Sequence, residues 1–251
     1  MASYPASAQL RESGVALLRG FFPRPSLMRL REAAAGCFRS IRIGSSIPER
    51  YRFNPSSNSV LLTALLDCGC EKDDLLAPLS SPELEGVFTE AMKRPWQCNL
   101  GQSWVRKKFA PAHAPDSGYH LQNWHQDGAL GARFPLQPGP VIPMTELLTC
   151  WIPLQDCGID SPGLEFIRRR QRTLLHFTEL DDSALRGRFT EDEFWAPSLE
   201  FGDGLIFLND VLHRTHVHPE MQKDRLSVEY RIFPQENMHE QEPGSSDRRD
   251  F

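Results

Sequence analysis

No stretch of about 18 or more apolar residues occurs in this chain, so nothing in it reads as a membrane-spanning helix. Its opening residues, MASYPASAQLRESG, lack the apolar stretch of a secretory leader, and a cytoplasmic location is expected. Basic excess is also missing: the net charge is −5, which argues against a general nucleic-acid binder. Six cysteines are present: Cys37, Cys68, Cys70, Cys98, Cys150 and Cys157. Cys68 and Cys70 form a Cys-x-Cys, but no second pair stands at zinc-finger spacing, so reduced thiols are expected rather than a disulfide frame or a zinc site. There is no internal repeat. Hydrophobic content of 40% and charged content of 24% are those of an ordinary globular domain, and 251 residues suffice for one well-packed core.

What the chain does contain changes in character along its length. Residues 14–22, GVALLRGFF, are apolar and branched and predict a strand. Pro25 and Ser26 open a helical stretch with apolar residues at Leu27, Leu30, Ala34 and Phe38. Residues 44–59 are rich in Gly, Ser, Pro and Asn and predict a long loop. Residues 61–66 and 82–92 read as helical, the second capped by Ser81 with Pro82 at its first position. After Pro95 short apolar runs take over: 102–109, the end of 141–154 (LLTCWIPL), 204–208 (GLIFL) and 226–233 (LSVEYRIF). The last of these alternates apolar and polar residues, the pattern of a half-buried strand. Helices followed by strands point to a jelly roll or β-sandwich with helices packed on one face. A single domain over 1–251 is expected, with a strand and helices in 14–95, the jelly-roll core in 96–234 and a flexible tail over 235–251.

One constellation carries chemistry. Residues 123–128 read NWHQDG. In an extended segment positions i and i+2 face the same side, so His125 and Asp127 can reach one ion, and Gly128 lets the chain turn away. Downstream, FGDGLIFLNDVLHRTHVHPEMQKDRLSVEYR offers His213, His216 and His218. His213 ranks first because it follows the strand and the Asn209–Asp210 turn directly; His216 is second and His218 third. Two histidines and a carboxylate on one side of a metal form the facial triad of non-haem iron(II) oxygenases, which leaves positions open for cosubstrate and dioxygen. Arg225 opens the final strand, where its guanidinium could grip a dicarboxylate through two parallel hydrogen bonds. The plain alternatives are a chance His-x-Asp, a solvated histidine loop, and an Arg225 paired on the surface with Asp224 or Glu229. The order of the blocks favours the metal reading.

At these residues the chain resembles the phytanoyl-CoA dioxygenase family over nearly its whole length. GVALLRGFFPRPSLMRLREAA is similar to the family's opening strand and helix, NWHQDG to its His-x-Asp loop, and LLTCWIPLQDCGIDSPGLEFI to its central strand and following turn. GDGLIFLNDVLHRT and DRLSVEYRIF are similar to its distal-histidine strand pair. The resemblance implies a mainly β fold with flanking helices around a double-stranded β-helix (jelly-roll, cupin-like) core. It implies iron(II), 2-oxoglutarate as cosubstrate and O2. Iron would sit on His125, Asp127 and His213. The distal carboxylate of 2-oxoglutarate would sit on Arg225 with Thr215, and Trp151 would pack near it or serve as an ordinary core aromatic.

The chain departs from the family where a Pro-Gly-Ser-His turn is usual. Here Ile167 is followed by Arg168, Arg169, Arg170, Gln171 and Arg172. That basic loop is either a solvated charge run or a contact for an anionic substrate group. The implied activity is hydroxylation or desaturation of an unactivated C–H bond of a small molecule, with release of succinate and CO2. Anionic and carrier-linked substrates are within the family's range; nucleic acid and membrane are not expected as partners. Halogenases that resemble the family lack the carboxylate, so Asp127 favours oxygenation. Two other readings remain: a cupin-type metal enzyme that does not use 2-oxoglutarate, and a non-catalytic binding protein.

Overall fold

The computed structural model describes residues 4–42, 47–115, 118–121, 123–132, 134 and 144–235. Parts of the loops 44–59, 111–123 and 129–140, and the expected tail beyond residue 235, lie outside the described residues.

Along the chain the elements are α1 (Pro5–Ser13), β1 (Val15–Leu18), α2 (Arg24–Arg42), β2 (Ser59–Leu61), α3 (Lys72–Leu76), α4 (Pro82–Met92), β3 (Trp96–Cys98), β4 (Trp104–Lys108), β5 (Leu148–Pro153), β6 (Gly163–Ile167), α5 (Asp182–Arg188), β7 (Phe194–Trp195), β8 (Gly204–Leu208), β9 (His213–His216) and β10 (Arg225–Pro234). The strands form two antiparallel sheets. The larger has the order β1-β8-β5-β10-β4-β2, with β3 also paired to β10; the smaller has the order β7-β6-β9. The jelly-roll arrangement with flanking helices is the one expected.

Alternation decides what each face of the large sheet meets. Val228, Tyr230 and Ile232 of β10 and Cys150 and Ile152 of β5 point outward, into one apolar cluster with Leu27, Leu30 and Ala34 of α2 and Leu84, Val87 and Phe88 of α4. Trp151 of β5 and Leu205 and Phe207 of β8 point inward and pack against Leu164 and Phe166 of β6. Behind the small sheet a third cluster holds Trp124, Ile167, Leu185 and Leu212. Helix α2 starts and ends beyond its apolar stripe, and α4 has the predicted bounds, with the Ser81 hydroxyl accepting from Glu83 N.

Several elements differ from the sequence-based expectation. Helix α1 was not expected; Pro5 begins it and Gly14, at φ 80°, ends it in a left-handed cap. Residues 61–66 supply the end of β2 and a 3-10 segment over Leu62–Cys68 rather than an α-helix. Strands β6 and β9 were not expected either. GLEFI and HRTH carry little apolar alternation, and they are strands because they pair with each other, Gly163 opposite His216 through Phe166 opposite His213. The half-buried reading of β10 is corrected: its polar face is buried too, with Ser227 0%, Glu229 6% and Arg231 8% exposed.

Tyr230 fastens the large sheet to the helical layer, since its buried hydroxyl donates to Leu75 O over 2.8 Å. Tyr230→Phe removes this bond and strands a buried carbonyl, so it should lower stability by about 1–2 kcal/mol in urea unfolding, with little change in folded-state circular dichroism.

Candidate metal centre

The site begins with backbone. His125 N donates to His213 O and His213 N to His125 O, both over 3.0 Å. This reciprocal bridge adds the His-x-Asp segment to the exposed side of β9 and sets the two imidazole centroids 4.1 Å apart. Period-two alternation then sorts the segment. His125 and Asp127 face inward. Trp124 and Gln126 face the other way and hold the segment down: Trp124 Nε1 donates to Asp182 Oδ1 (3.0 Å), and Gln126 Nε2 donates to Asp210 O (2.9 Å) and Thr173 O (2.8 Å). Gln126 Oε1 accepts from Leu175 N over 2.7 Å. Asp210, fully buried, accepts from Arg170 Nε (2.9 Å) and Arg172 N (3.0 Å), which fixes the turn leading into β9. Gly128 is needed for close approach rather than for a special φ, because a Cβ there would meet Met144 Cγ at 2.3 Å and Asn209 O at 3.0 Å.

Both histidines point Nδ1 at a carbonyl: His125 at Asn123 O (2.7 Å) and His213 at Val211 O (3.1 Å). A carbonyl only accepts, so Nδ1 carries the proton and the Nε2 lone pairs are directed elsewhere. They are directed toward Asp127 Oδ1, 3.9 Å from His125 Nε2 and 3.7 Å from His213 Nε2. These separations are too long for hydrogen bonds, and the three ligand atoms lie within 4.8 Å of one another. Burial, with His213 as neighbour, lowers the His125 pKa to about 3, and burial also lowers that of His213, so both rings stay neutral and able to ligate at ordinary pH. Burial works against the Asp127 carboxylate, but the adjacent Arg231 guanidinium outweighs it and holds the group well below the usual carboxylate range. Two neutral imidazoles and one carboxylate converging from one side suit a first-row divalent ion with open positions.

Beyond the triad the inner face of β10 and β4 is lined with charge. Arg106 Nε pairs with Glu229 Oε2 (2.9 Å), and Arg231 pairs with both Glu229 and Asp127. Arg225 and Lys108 stand opposite each other across β10 and β4 and, among the described residues, neither has a carboxylate partner. Arg225, 1% exposed, bonds only the carbonyls of Gly163 (2.9 Å) and Pro162 (3.3 Å), and its Nε is a buried donor without a partner among the described residues. Lys108 Nζ donates to Ser57 O over 2.9 Å. Burial and the neighbouring Arg106 and Arg225 bring the Lys108 pKa down to about 7. Among the described residues, Arg225 and Lys108 are thus two basic side chains buried side by side with no carboxylate in contact.

The residues singled out in the sequence fall as follows. His213 and Thr215 share the inward face of β9, whereas His216 turns toward Glu165 at 4.0 Å and His218 is exposed beside Glu220. The surface pairing considered for Arg225 does not form. Trp151 lies under Arg225, whose guanidinium carbon is 4.9 Å from the ring centroid. The basic loop engages the protein itself: Arg168 stacks over Trp195 (5.3 Å), Arg169 pairs with Glu193 (3.1 Å) and Arg170 with Asp210. Lys108, Arg106, Glu229, Arg231 and Thr149 escaped the sequence reading. For Glu229 and Arg231 the signal is the polar half of LSVEYRIF, which a single strand reads as solvent-facing; Arg106, Lys108 and Thr149 lie in other strands and carry no such signal.

Gly128→Ala should push the segment off the Asn209 turn. It is expected to cost about 1–3 kcal/mol of stability and to weaken Co(II) binding measured by titration of the apoprotein.

The profile of the phytanoyl-CoA dioxygenase (PhyH) family matches residues 10–218. No curated protein sequence matches the chain. Solved structures of similar fold include EctD from S. alaskensis with 2-oxoglutarate and 5-hydroxyectoine (TM-score 0.65, 16% identity, 94% of this chain and 77% of that one). The non-heme alpha ketoglutarate dependent carbocyclase SnoK from nogalamycin biosynthesis matches at TM-score 0.60 and 16% identity, over 93% of this chain and 84% of that one. AviO1 from Streptomyces viridochromogenes Tue57 matches at TM-score 0.61 and 15% identity, over 94% and 97%. These likenesses concern the fold; the family match spans most of the chain and runs through all three converging ligands. The chain belongs to the phytanoyl-CoA dioxygenase family of iron(II)- and 2-oxoglutarate-dependent oxygenases.

Proposed function

We propose that this protein oxidises an unactivated C–H bond of a small-molecule substrate, using iron(II) on His125, Asp127 and His213 and 2-oxoglutarate with its distal carboxylate on Arg225 and Lys108. The observation that carries the reading is the pair of uncompensated buried cations beside a neutral-histidine triad. A cupin-type enzyme without a dicarboxylate cosubstrate has no use for them, and a non-catalytic relative has no use for the triad.

The residues divide the work. His125 and His213 offer Nε2 because their Nδ1 protons are committed to Asn123 O and Val211 O. Arg225 offers its free Nε edge to a carboxylate while Nη1 stays anchored on Gly163 O. Trp151 supports the guanidinium from one side, and Thr215 stands opposite Leu164, one position from that anchor. Lys108, directly opposite Arg225 across the two strands, offers that carboxylate a second donor. When bound, iron supplies dioxygen activation coupled to oxidative decarboxylation of 2-oxoglutarate to succinate and CO2. The inward apolar residues Leu164, Phe166, Leu205 and Phe207 exclude water around the site. Hydroxylation is the favoured outcome, with desaturation the alternative, because Asp127 occupies the position that a halide needs. We assign Arg168, Arg169 and Arg170 to the scaffold, on their contacts with Trp195, Glu193 and Asp210.

Iron-loaded protein supplied with 2-oxoglutarate and a panel of small molecules should form succinate in a substrate-stimulated manner. His125→Ala, Asp127→Ala and His213→Ala should each abolish it, while His216→Ala should retain it. Loss in His216→Ala with retention in His213→Ala overturns the ligand choice. Arg225→Leu should weaken 2-oxoglutarate binding by on the order of 2–5 kcal/mol and leave metal binding near wild type.

Lys108 gives a pH signature. At pH 8 most of it is uncharged, since its pKa is about 7. A bound dianion raises that pKa, so binding should take up close to one proton at pH 8 and almost none at pH 6, and affinity should fall as pH rises from 7 to 9. Calorimetry in buffers of different ionisation enthalpy reads the uptake. Lys108→Met should remove it; undiminished uptake in that variant takes Lys108 out of the site.

A further inference from the structure

Asp127 presents its two oxygens to different surroundings. Oδ1 faces the histidine Nε2 atoms at 3.7 and 3.9 Å. Oδ2 accepts from the Thr149 hydroxyl over 2.7 Å and is ion-paired to the Arg231 guanidinium. Arg231 Nη1 also donates to Thr149 Oγ1 over 2.6 Å, so the guanidinium, the hydroxyl and the carboxylate oxygen close a small ring. The geometry comes from the sheet: Thr149 and Arg231 are directly opposed across β5 and β10, both on the inner face. Arg231 is braced in turn by Glu229, which Arg106 holds with Nε at 2.9 Å and Nη2 at 3.2 Å. Arg106, Glu229, Arg231 and Asp127 thus form a buried run of alternating charge, with side chains 11%, 8%, 10% and 4% exposed.

From this arrangement we infer that Arg231 and Thr149 are positioning residues that reserve Asp127 Oδ2 for the protein, so that Asp127 serves the metal through Oδ1 alone. The inference rests on the metal-centre reading above. A carboxylate free to rotate can chelate with both oxygens and occupy two positions on the ion. 2-Oxoglutarate, which needs two positions, and dioxygen, which needs a third, would then compete with the protein's own ligand. Chelation by Asp127 would require Oδ2 to leave both donors and strand a buried guanidinium on Glu229 alone, which the low polarity of the interior opposes. The same pairing draws electron density from the carboxylate, which makes Asp127 a weaker donor and the ion a stronger acceptor for the cosubstrate.

The test uses full-length apoprotein loaded with Co(II) under anaerobic conditions, whose visible absorption reports coordination number. In Arg231→Met the Co(II) spectrum should change, and 2-oxoglutarate affinity of the Co(II)-loaded protein should fall by about tenfold or more, while Co(II) affinity itself stays within a few-fold of wild type. Arg231→Lys, which keeps the charge but only a single point of contact, should fall between the two. Thr149→Val removes one donor at nearly constant volume; it should shift the spectrum in the same direction by a smaller amount, and it carries the test if Arg231→Met does not fold. A wild-type spectrum and wild-type 2-oxoglutarate affinity in folded Arg231→Met and Thr149→Val overturn the inference. So does a loss of Co(II) affinity that follows a lowered melting temperature with the spectrum unchanged, since that is a structural role alone. Failure of the wild-type protein to bind Co(II) overturns the metal-centre reading, and this inference with it.

Discussion

Two backbone hydrogen bonds between His125 and His213 are the constraint on which the site depends. Without them the His-x-Asp segment is a loop beside the small sheet; with them it is an extra rung of that sheet. The bridge fixes which side chains point inward, and the outward ones, Trp124 and Gln126, are then free to bind Asp182, Thr173 and Asp210. Metal ligation is thus built on main-chain geometry and needs only side-chain alternation to complete it. Gly128 belongs to the same device, because the chain must pass within contact of Asn209 O to keep the rung in register.

The second organising feature is the charge laid along the inner face of β10. A strand between two layers ordinarily carries apolar residues on both faces. Here Arg225, Ser227, Glu229 and Arg231 are all buried, and the sheet accepts them because most of their charge is cancelled within the interior. Arg106, Glu229, Arg231 and Asp127 cancel in sequence, whereas Arg225 and Lys108 do not. Burying unmatched cations is costly, and the cost shows in the depressed pKa values of about 10 for Arg225 and about 7 for Lys108. A fold keeps such a feature where a ligand of opposite charge offsets it. The imbalance lies at the start of β10 and the compensated run lies toward the triad, so one strand carries an unmatched guanidinium at one end and a carboxylate-holding guanidinium at the other.

In the basic segment Arg168–Arg172, Arg168, Arg169 and Arg172 are exposed and Arg170 is half-buried. Arg170 and the Arg172 backbone neutralise Asp210, whose turn feeds directly into β9. Within this largely exposed run, the Arg170 side chain and the Arg172 backbone thus help to set the turn that leads to His213.

Much of the site was legible in the sequence. His125, Asp127 and His213 are marked by spacing and by the residue types that metal ligation demands, and the structure brings them together. The apolar runs of β1, β5 and β8, the striped helix α2 and the capped helix α4 were visible because burial on a single face writes a period into the chain. What escaped was decided by pairing across long sequence distances. HRTH and GLEFI have no strand pattern of their own and become strands only against each other. LSVEYRIF shows perfect alternation, yet alternation states only that two faces differ. Which face meets helices and which meets the metal depends on the second sheet, and polar residues were assigned to water because a single strand contains no sign of the carboxylates and guanidinium groups that would neutralise them. Lys108 illustrates the same limit: on β4 it is one basic residue among Arg106, Lys107 and Lys108, and only the register sets it opposite Arg225 on the buried face. Residue types and periodicity are enough to mark the converging ligands and the layers; which charges are compensated depends on distances between strands, and those exist only once the two sheets have packed.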